Sequence, residues 1–146
     1  MALRFEQSLV VNAPAEKVFA YVANLENMPE WGNFTTAVRM TSSGPVGVGT
    51  TYECDGKQFG KHTDKTTVTR YEPGKAFATE SKGDAGESRN WYELADQSGA
   101  TVLTKGFEIT KPALTTKLAA PVVRAIAGKN LMKDLEKIKA RIEGTA

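Results

Sequence analysis

The 146-residue chain has the length of one domain. Nineteen Lys and Arg stand against seventeen Asp and Glu, a formal net charge of +2, and the acids are interspersed among the bases; this is not the one-sided basic face that nucleic-acid binding needs. Cys54 and His62 are the only residues of their types, which excludes an internal disulfide, a four-thiolate metal site and a histidine-cluster metal site.

Hydrophobic residues make up 40% and charged residues 25%, a globular balance rather than a disordered one. The opening residues carry Arg4 and Glu6 and lack a continuous apolar run, so no secretion signal is expected. No stretch approaches the ~20 apolar residues that span a bilayer. The expectation is a single domain over 1–146, cytoplasmic, without cofactor, stable membrane insertion or nucleic-acid partner, as a monomer or homodimer.

Leu3, Phe5, Leu9 and Val11 alternate with polar neighbours and predict a strand at 3–11. Pro14 is suited to a first helical position, and Val18, Val22 and Leu25 recur at helical spacing. A short helix is predicted at 14–24 and a second helical turn near 25–31. Between 34 and 110 turn signals come at short intervals: Ser42 to Gly49, Asp55-Gly56, Glu72-Pro73-Gly74, Gly83 to Gly86 and Asp96 to Gly99. The segments between them are rich in Thr, Val, Tyr and Phe, and predict strands near 34–42, 49–57, 61–72, 75–82, 87–95 and 100–110.

A long helix is predicted over 114–143, kinked near Pro121. Its second half is amphipathic, with Leu131, Leu135, Ile138 and Ile142 on one stripe. Its first half, Leu118 to Gly128, is apolar nearly all round and is read as lid, core or interface. Seven antiparallel strands with one long helix give an α+β fold in which the sheet curls around the helix. A strongly curved sheet does not touch its helix along the whole length, and the gap is the expected cavity.

Ala13-Pro14-Ala15-Glu16-Lys17-Val18-Phe19, Asn27-Met28-Pro29-Glu30-Trp31, the Gly44 to Thr50 turn, Tyr71-Glu72-Pro73-Gly74 and Gly99-Ala100-Thr101 together resemble the landmarks of the polyketide cyclase/dehydrase and lipid-transport superfamily. This superfamily includes the START-like and birch-pollen-allergen-like proteins. The resemblance covers nearly the whole chain. It implies a helix-grip fold with two short helices between strands 1 and 2 and a ligand held between sheet and long helix. It implies no catalytic triad, because the superfamily shares none; the site decides the activity.

Strand parity selects the wall of the expected cavity. Tyr52 with Cys54, Phe77 with Thr79, Asn90 with Tyr92, and Leu103 with Phe107 take the inward face, and from the helix Leu118, Val122 and Ile126 join them. The alternative for each is a place in a packed core. Tyr52, Tyr92 and Asn90 bring polar atoms inside that need a partner, whether ligand, water or side chain. Trp31 is a further ligand-binding candidate, and the resemblance implies that a tryptophan at this place closes one end of the fold. His62 is a weak general-base candidate, expected in a solvated position. Lys105 shares the parity of Leu103 and Phe107; it is a weak candidate for an anion anchor or a perturbed amine, and is expected to reach water at a strand end or bulge. The carboxylates, Asp64 and Glu87 among them, mostly take outward parity.

Three functions follow. The first is a carrier or binding protein for a hydrophobic small molecule, such as a lipid, isoprenoid, quinone or polyketide. The second is an aromatase/cyclase-type enzyme using the same cavity. The third is a protein-interaction module using the apolar helix surface.

Overall fold

The computed structural model describes residues 3–57, 60–83 and 86–144. In chain order the elements are β1 (Leu3–Val11), α1 (Ala15–Val22), a 3-10 turn (Leu25–Asn27), α2 (Met28–Trp31), β2 (Thr35–Met40), β3 (Thr51–Gly56), β4 (His62–Glu72), β5 (Ala76–Gly83), β6 (Gly86–Gln97), β7 (Ala100–Pro112), α3 (Leu114–Leu118) and α4 (Ala120–Glu143). The predicted turn at Gly83 to Gly86 lies partly outside the described residues, as does the middle of the polar stretch from Asp55 to Lys61.

The seven strands form one sheet in the order β1-β7-β6-β5-β4-β3-β2. Every neighbouring pair is antiparallel. β2 through β7 pair in sequence order as a meander, and β1 pairs with β7 in an unbroken register from Leu3↔Ile109 to Val11↔Thr101. The architecture is the helix-grip fold: a curved antiparallel sheet, a long C-terminal helix, and two short helices after the first strand.

The single helix expected over 114–143 is two. Pro121 lacks an N–H and its ring crowds the carbonyl one turn back, so α3 ends at Leu118 and α4 begins at Ala120. The helical ladder resumes with the Val123 amide donating to the Ala119 carbonyl at 2.9 Å. At its other end α4 closes on Gly144, whose φ of +75° is the left-handed cap that glycine adopts without strain.

The core is concentrated at one end of the sheet. Val18, Phe19 and Val22 of α1, Leu25, Trp31 of α2, and Leu135, Ile138 and Ile142 of α4 pack against Val11, Tyr52, Val68, Phe77, Tyr92 and Leu103. A second, smaller cluster joins Leu3, Val123 and Ala127 beneath the start of α4, with Phe5, Phe107 and Ile109 packed against it. Between the two clusters the sheet and α4 diverge.

Candidate functional site

The divergence leaves a partly open cavity of about 260 Å³. Its two walls differ in chemistry. Val123, Ile126, Ala127 and Leu131 of α4 cover it with apolar side chains, joined from the sheet by Phe107 and Ile109. Cys54, Thr66, Thr79, Ser81, Ser88 and Asn90 present thiol, hydroxyl and amide groups from β3 to β6. Period-two alternation produces this wall: Thr66, Ser81 and Ser88 stand in one cross-strand row, and Thr79 and Asn90 in the next. The Thr66 and Ser81 hydroxyls are hydrogen-bonded at 2.7 Å, and Cys54 Sγ lies 3.6 Å from Thr66 Oγ1. Either partner can donate in each contact. The hydroxyls can therefore turn to suit an incoming donor or acceptor. Burial pushes the Cys54 thiol up, which keeps it protonated and unreactive.

One end of the cavity is built around Lys105. Its residue is only 5% exposed, and the strand-end or bulge position expected for it is not found. Lys105 pairs in regular register with Gln7 of β1 and Tyr92 of β6, so its side chain is flanked by a strand on each side and turns into the cavity. The ammonium lies 5.4 Å from the centroids of both the Trp31 and Tyr92 rings, within cation–π range. Among the described residues it makes no hydrogen bond, and no carboxylate lies within 4 Å. Burial lowers its affinity for the proton, and the charge of Asp134 opposes that shift. Asp134 itself is pushed up by burial, opposed by the Lys105 charge and by the Asn33 amide, which donates to Oδ1 at 3.1 Å. Trp31 Nε1 is buried with no hydrogen-bond partner.

The opposite end is formed by Gly56 of β3, His62 of β4, Gly86 and Glu87 of β6, and Thr116 of α3. His62 and Asp64 share the parity of Thr66 and Val68, so they face inward, against the expectation of a solvated histidine and an outward acid. Their side chains are 16% and 24% exposed, and His62 Nδ1 lies 3.5 Å from Asp64 Oδ2. The imidazole rests on Gly56, where a Cβ would come within 2.7 Å of the ring. Asp55 and Glu87 also reach this end, but both are engaged outside it. The Arg39 guanidinium and then the Thr63 hydroxyl lower the Asp55 carboxyl from its ordinary value. Glu87 sits between Lys82 and Lys111 at 3.6 and 3.5 Å.

The structure places Trp31, Cys54, Asn90, Tyr92, Phe107, Ile126, His62 and Lys105 on the cavity wall. It does not bring Tyr52, Phe77, Leu103, Leu118 or Val122 there. Tyr52, Phe77 and Leu103 belong to the filled core under α1 and the second half of α4, where apolar side chains leave no gap. Leu118 and Val122 turn outward, 75% and 53% exposed, because the break at Ala119 settles which face of the helix meets the sheet. Asp134, Asn33, Thr66, Ser81 and Ser88 were not foreseen. Asp134 carried a legible signal: it is the one acid between Leu131 and Leu135 on the buried stripe.

Among the described residues no three His, Cys, Asp or Glu side chains converge to hold a metal ion. No helix among them is long and apolar enough to cross a membrane.

The family described as polyketide cyclase / dehydrase and lipid transport matches residues 2–143. The chain belongs to this family. Solved structures agree with it in fold. The Zhui aromatase/cyclase from Streptomyces sp. R1128 superposes with a TM-score of 0.80 at 16% identity, over 98% of this chain and 94% of that one. A START superfamily protein from Mycobacterium smegmatis gives 0.80 at 17% identity, over 98% and 99%. Ara h 8.0201 gives 0.67 at 10% identity, over 99% of each chain. No curated protein matches the sequence. At these identities the likeness establishes the helix-grip fold of the family and leaves the ligand to the site.

Proposed function

We propose that this protein binds a small, oxygen-bearing hydrophobic molecule between the sheet and α4, as a carrier or binding protein. The observation that carries the reading is the two-sided cavity: apolar side chains of α4 on one wall, and hydroxyl, amide and ammonium groups on the other. Thr66, Ser81 and Cys54 already pair with one another, but a purely apolar ligand would leave the Lys105 ammonium beside it without an acceptor, and a buried polar group left unpaired carries the full desolvation cost. Size narrows the class. A cavity of about 150 Å³ takes up benzene, so about 260 Å³ suits one or two fused rings rather than a long acyl chain. Among lipid, isoprenoid, quinone and polyketide, the quinone and cyclised-polyketide end fits best. Lys105 is the natural partner for a ligand carbonyl, since its ammonium has ring faces beside it and no hydrogen-bond acceptor.

Titration with 1,4-naphthoquinone and with naphthalene, followed by quenching of tryptophan fluorescence, tests this. The quinone is expected to bind about tenfold or more tightly, the worth of one good hydrogen bond in a dry site. Lys105→Met is expected to abolish the preference. Equal binding of both compounds by the wild-type protein would overturn the reading.

A second reading, an aromatase/cyclase-type enzyme, is favoured by one observation. Lys105 and Asp134 place a proton donor and a proton acceptor at the same end of the cavity. The two readings part on the fate of a polyketide-like ligand: carriage returns it with its mass unchanged, and cyclisation with dehydration returns it lighter by water.

A further inference from the structure

We propose that the outer face of α3 and the first half of α4 docks on an anionic lipid surface. Leu114, Leu118, Val122 and Ile126 recur every four residues and are 71%, 75%, 53% and 36% exposed. Leu114 and Leu118 are one turn apart on α3, and Val122 and Ile126 one turn apart on α4, so each pair shares a helix face, and their exposure turns both pairs outward, while Val123 and Ala127 on the adjoining face of α4 point to the cavity. No structural demand of the fold explains large apolar side chains there.

The charge around the stripe says what covers it. From Ile109 to Lys133 the sequence contains Lys111, Lys117, Arg124, Lys129 and Lys133 and no acid. The whole chain carries only +2, so the remainder is net negative and the positive charge is gathered on this segment. Lys117, Arg124, Lys129 and Lys133 are all exposed. Apolar side chains flanked by bases are the pattern of a helix that lies in the interface of an anionic bilayer, where each base adds electrostatic attraction that salt screens. A two-fold contact between copies would bring the same bases face to face and is disfavoured. The position is also functional: Ile126 is at once part of the stripe and part of the cavity wall. Docking through it sets the cavity's cover against the bilayer. The proposal rests on the exposed stripe and not on the identity of the ligand.

Co-sedimentation with sucrose-loaded vesicles tests it. Wild-type protein is expected to pellet with vesicles of phosphatidylcholine and phosphatidylglycerol in equal parts, and to stay in solution with phosphatidylcholine alone. Raising the salt is expected to release it. Leu118→Asp with Val122→Asp, and separately Lys117→Glu with Arg124→Glu, are expected to weaken partitioning about tenfold or more, with unchanged circular dichroism and urea midpoint because all four side chains are exposed. Wild-type protein that ignores the anionic vesicles overturns the proposal. So does a Leu118→Asp/Val122→Asp variant that binds them as well as wild type. A wild-type dimer that this apolar pair of substitutions converts to a monomer would assign the face to a second copy and overturn it as well.

Discussion

The ammonium of Lys105 lies 5.4 Å from the ring centroid of Trp31, inside the fold and beside the cavity. The two residues come from β7 and α2, more than seventy positions apart. The indole offers its negative face to the charge, yet a ring cannot replace the hydrogen bonds that water gave. The ammonium therefore remains desolvated and receptive.

That desolvation has a pH signature. Burial holds the proton affinity of Lys105 below that of an exposed lysine, so the unfolded chain binds this proton more tightly than the native one. Native stability then rises with pH between the lowered native value and the unfolded value of about 10.4. Below that window both states are charged and the penalty is complete. Lys105→Met removes the penalty. Its stability relative to wild type is expected to be greatest below that window and to decline as pH rises through it. Urea denaturation at a series of pH values reads this directly, and a pH-independent difference would show that the ammonium carries no such penalty.

Tyr92 and Trp91 are neighbours on opposite faces of β6. Tyr92 is buried against the cavity. Trp91 lies outside, with the Arg4 guanidinium 4.5 Å from its ring centroid and its Nε1 donating to Glu6 at 2.7 Å. Tyr92→Leu, which keeps much of the apolar volume, is expected to weaken quinone binding severalfold. Trp91→Ala is expected to leave it unchanged. Calorimetric titration of both variants decides, and the reverse ranking would mean that the ligand sits elsewhere.

The Tyr52 hydroxyl is buried in the core with no hydrogen-bond partner. An unpaired buried hydroxyl costs about 1–3 kcal/mol. Tyr52→Phe keeps the ring and removes that cost, so it is expected to raise stability by about 1 kcal/mol with ligand binding intact. A higher urea midpoint at constant slope is the readout; a lower midpoint would reveal a partner for the hydroxyl.

Gly106 accommodates the Trp91 indole on the outer face. A Cβ at this position would come within 2.3 Å of the ring. Gly106→Ala is expected to expel the indole and to cost about 1–3 kcal/mol through overpacking. Trp91 emission should shift to the red as the ring becomes exposed, a change that Tyr52→Phe does not produce.

Much of this molecule is dictated locally. The alternation of Leu3, Phe5, Leu9 and Val11, the turn residues between 42 and 99, and the stripe from Leu131 to Ile142 are short-range patterns, and they suffice to determine the seven strands and the long helix to within a few residues. Parity also assigned Cys54, Asn90, Tyr92 and Phe107 to the concave face. What parity does not contain is depth. Tyr52, Phe77 and Leu103 share that face and are core, because only the path of α4 over the sheet divides filled rows from open ones. The same holds for charge. His62, Asp64 and Lys105 are ordinary polar letters in a strand until the neighbouring strands and Trp31 enclose them. Leu118 and Val122 turned outward when Pro121 broke the helix and the sheet took the other side. Secondary structure is a property of neighbours in sequence. The cavity, its polar wall and its unpaired ammonium arise from the way β3 to β7 meet α2 and α4, whose separation along the chain no local pattern encodes.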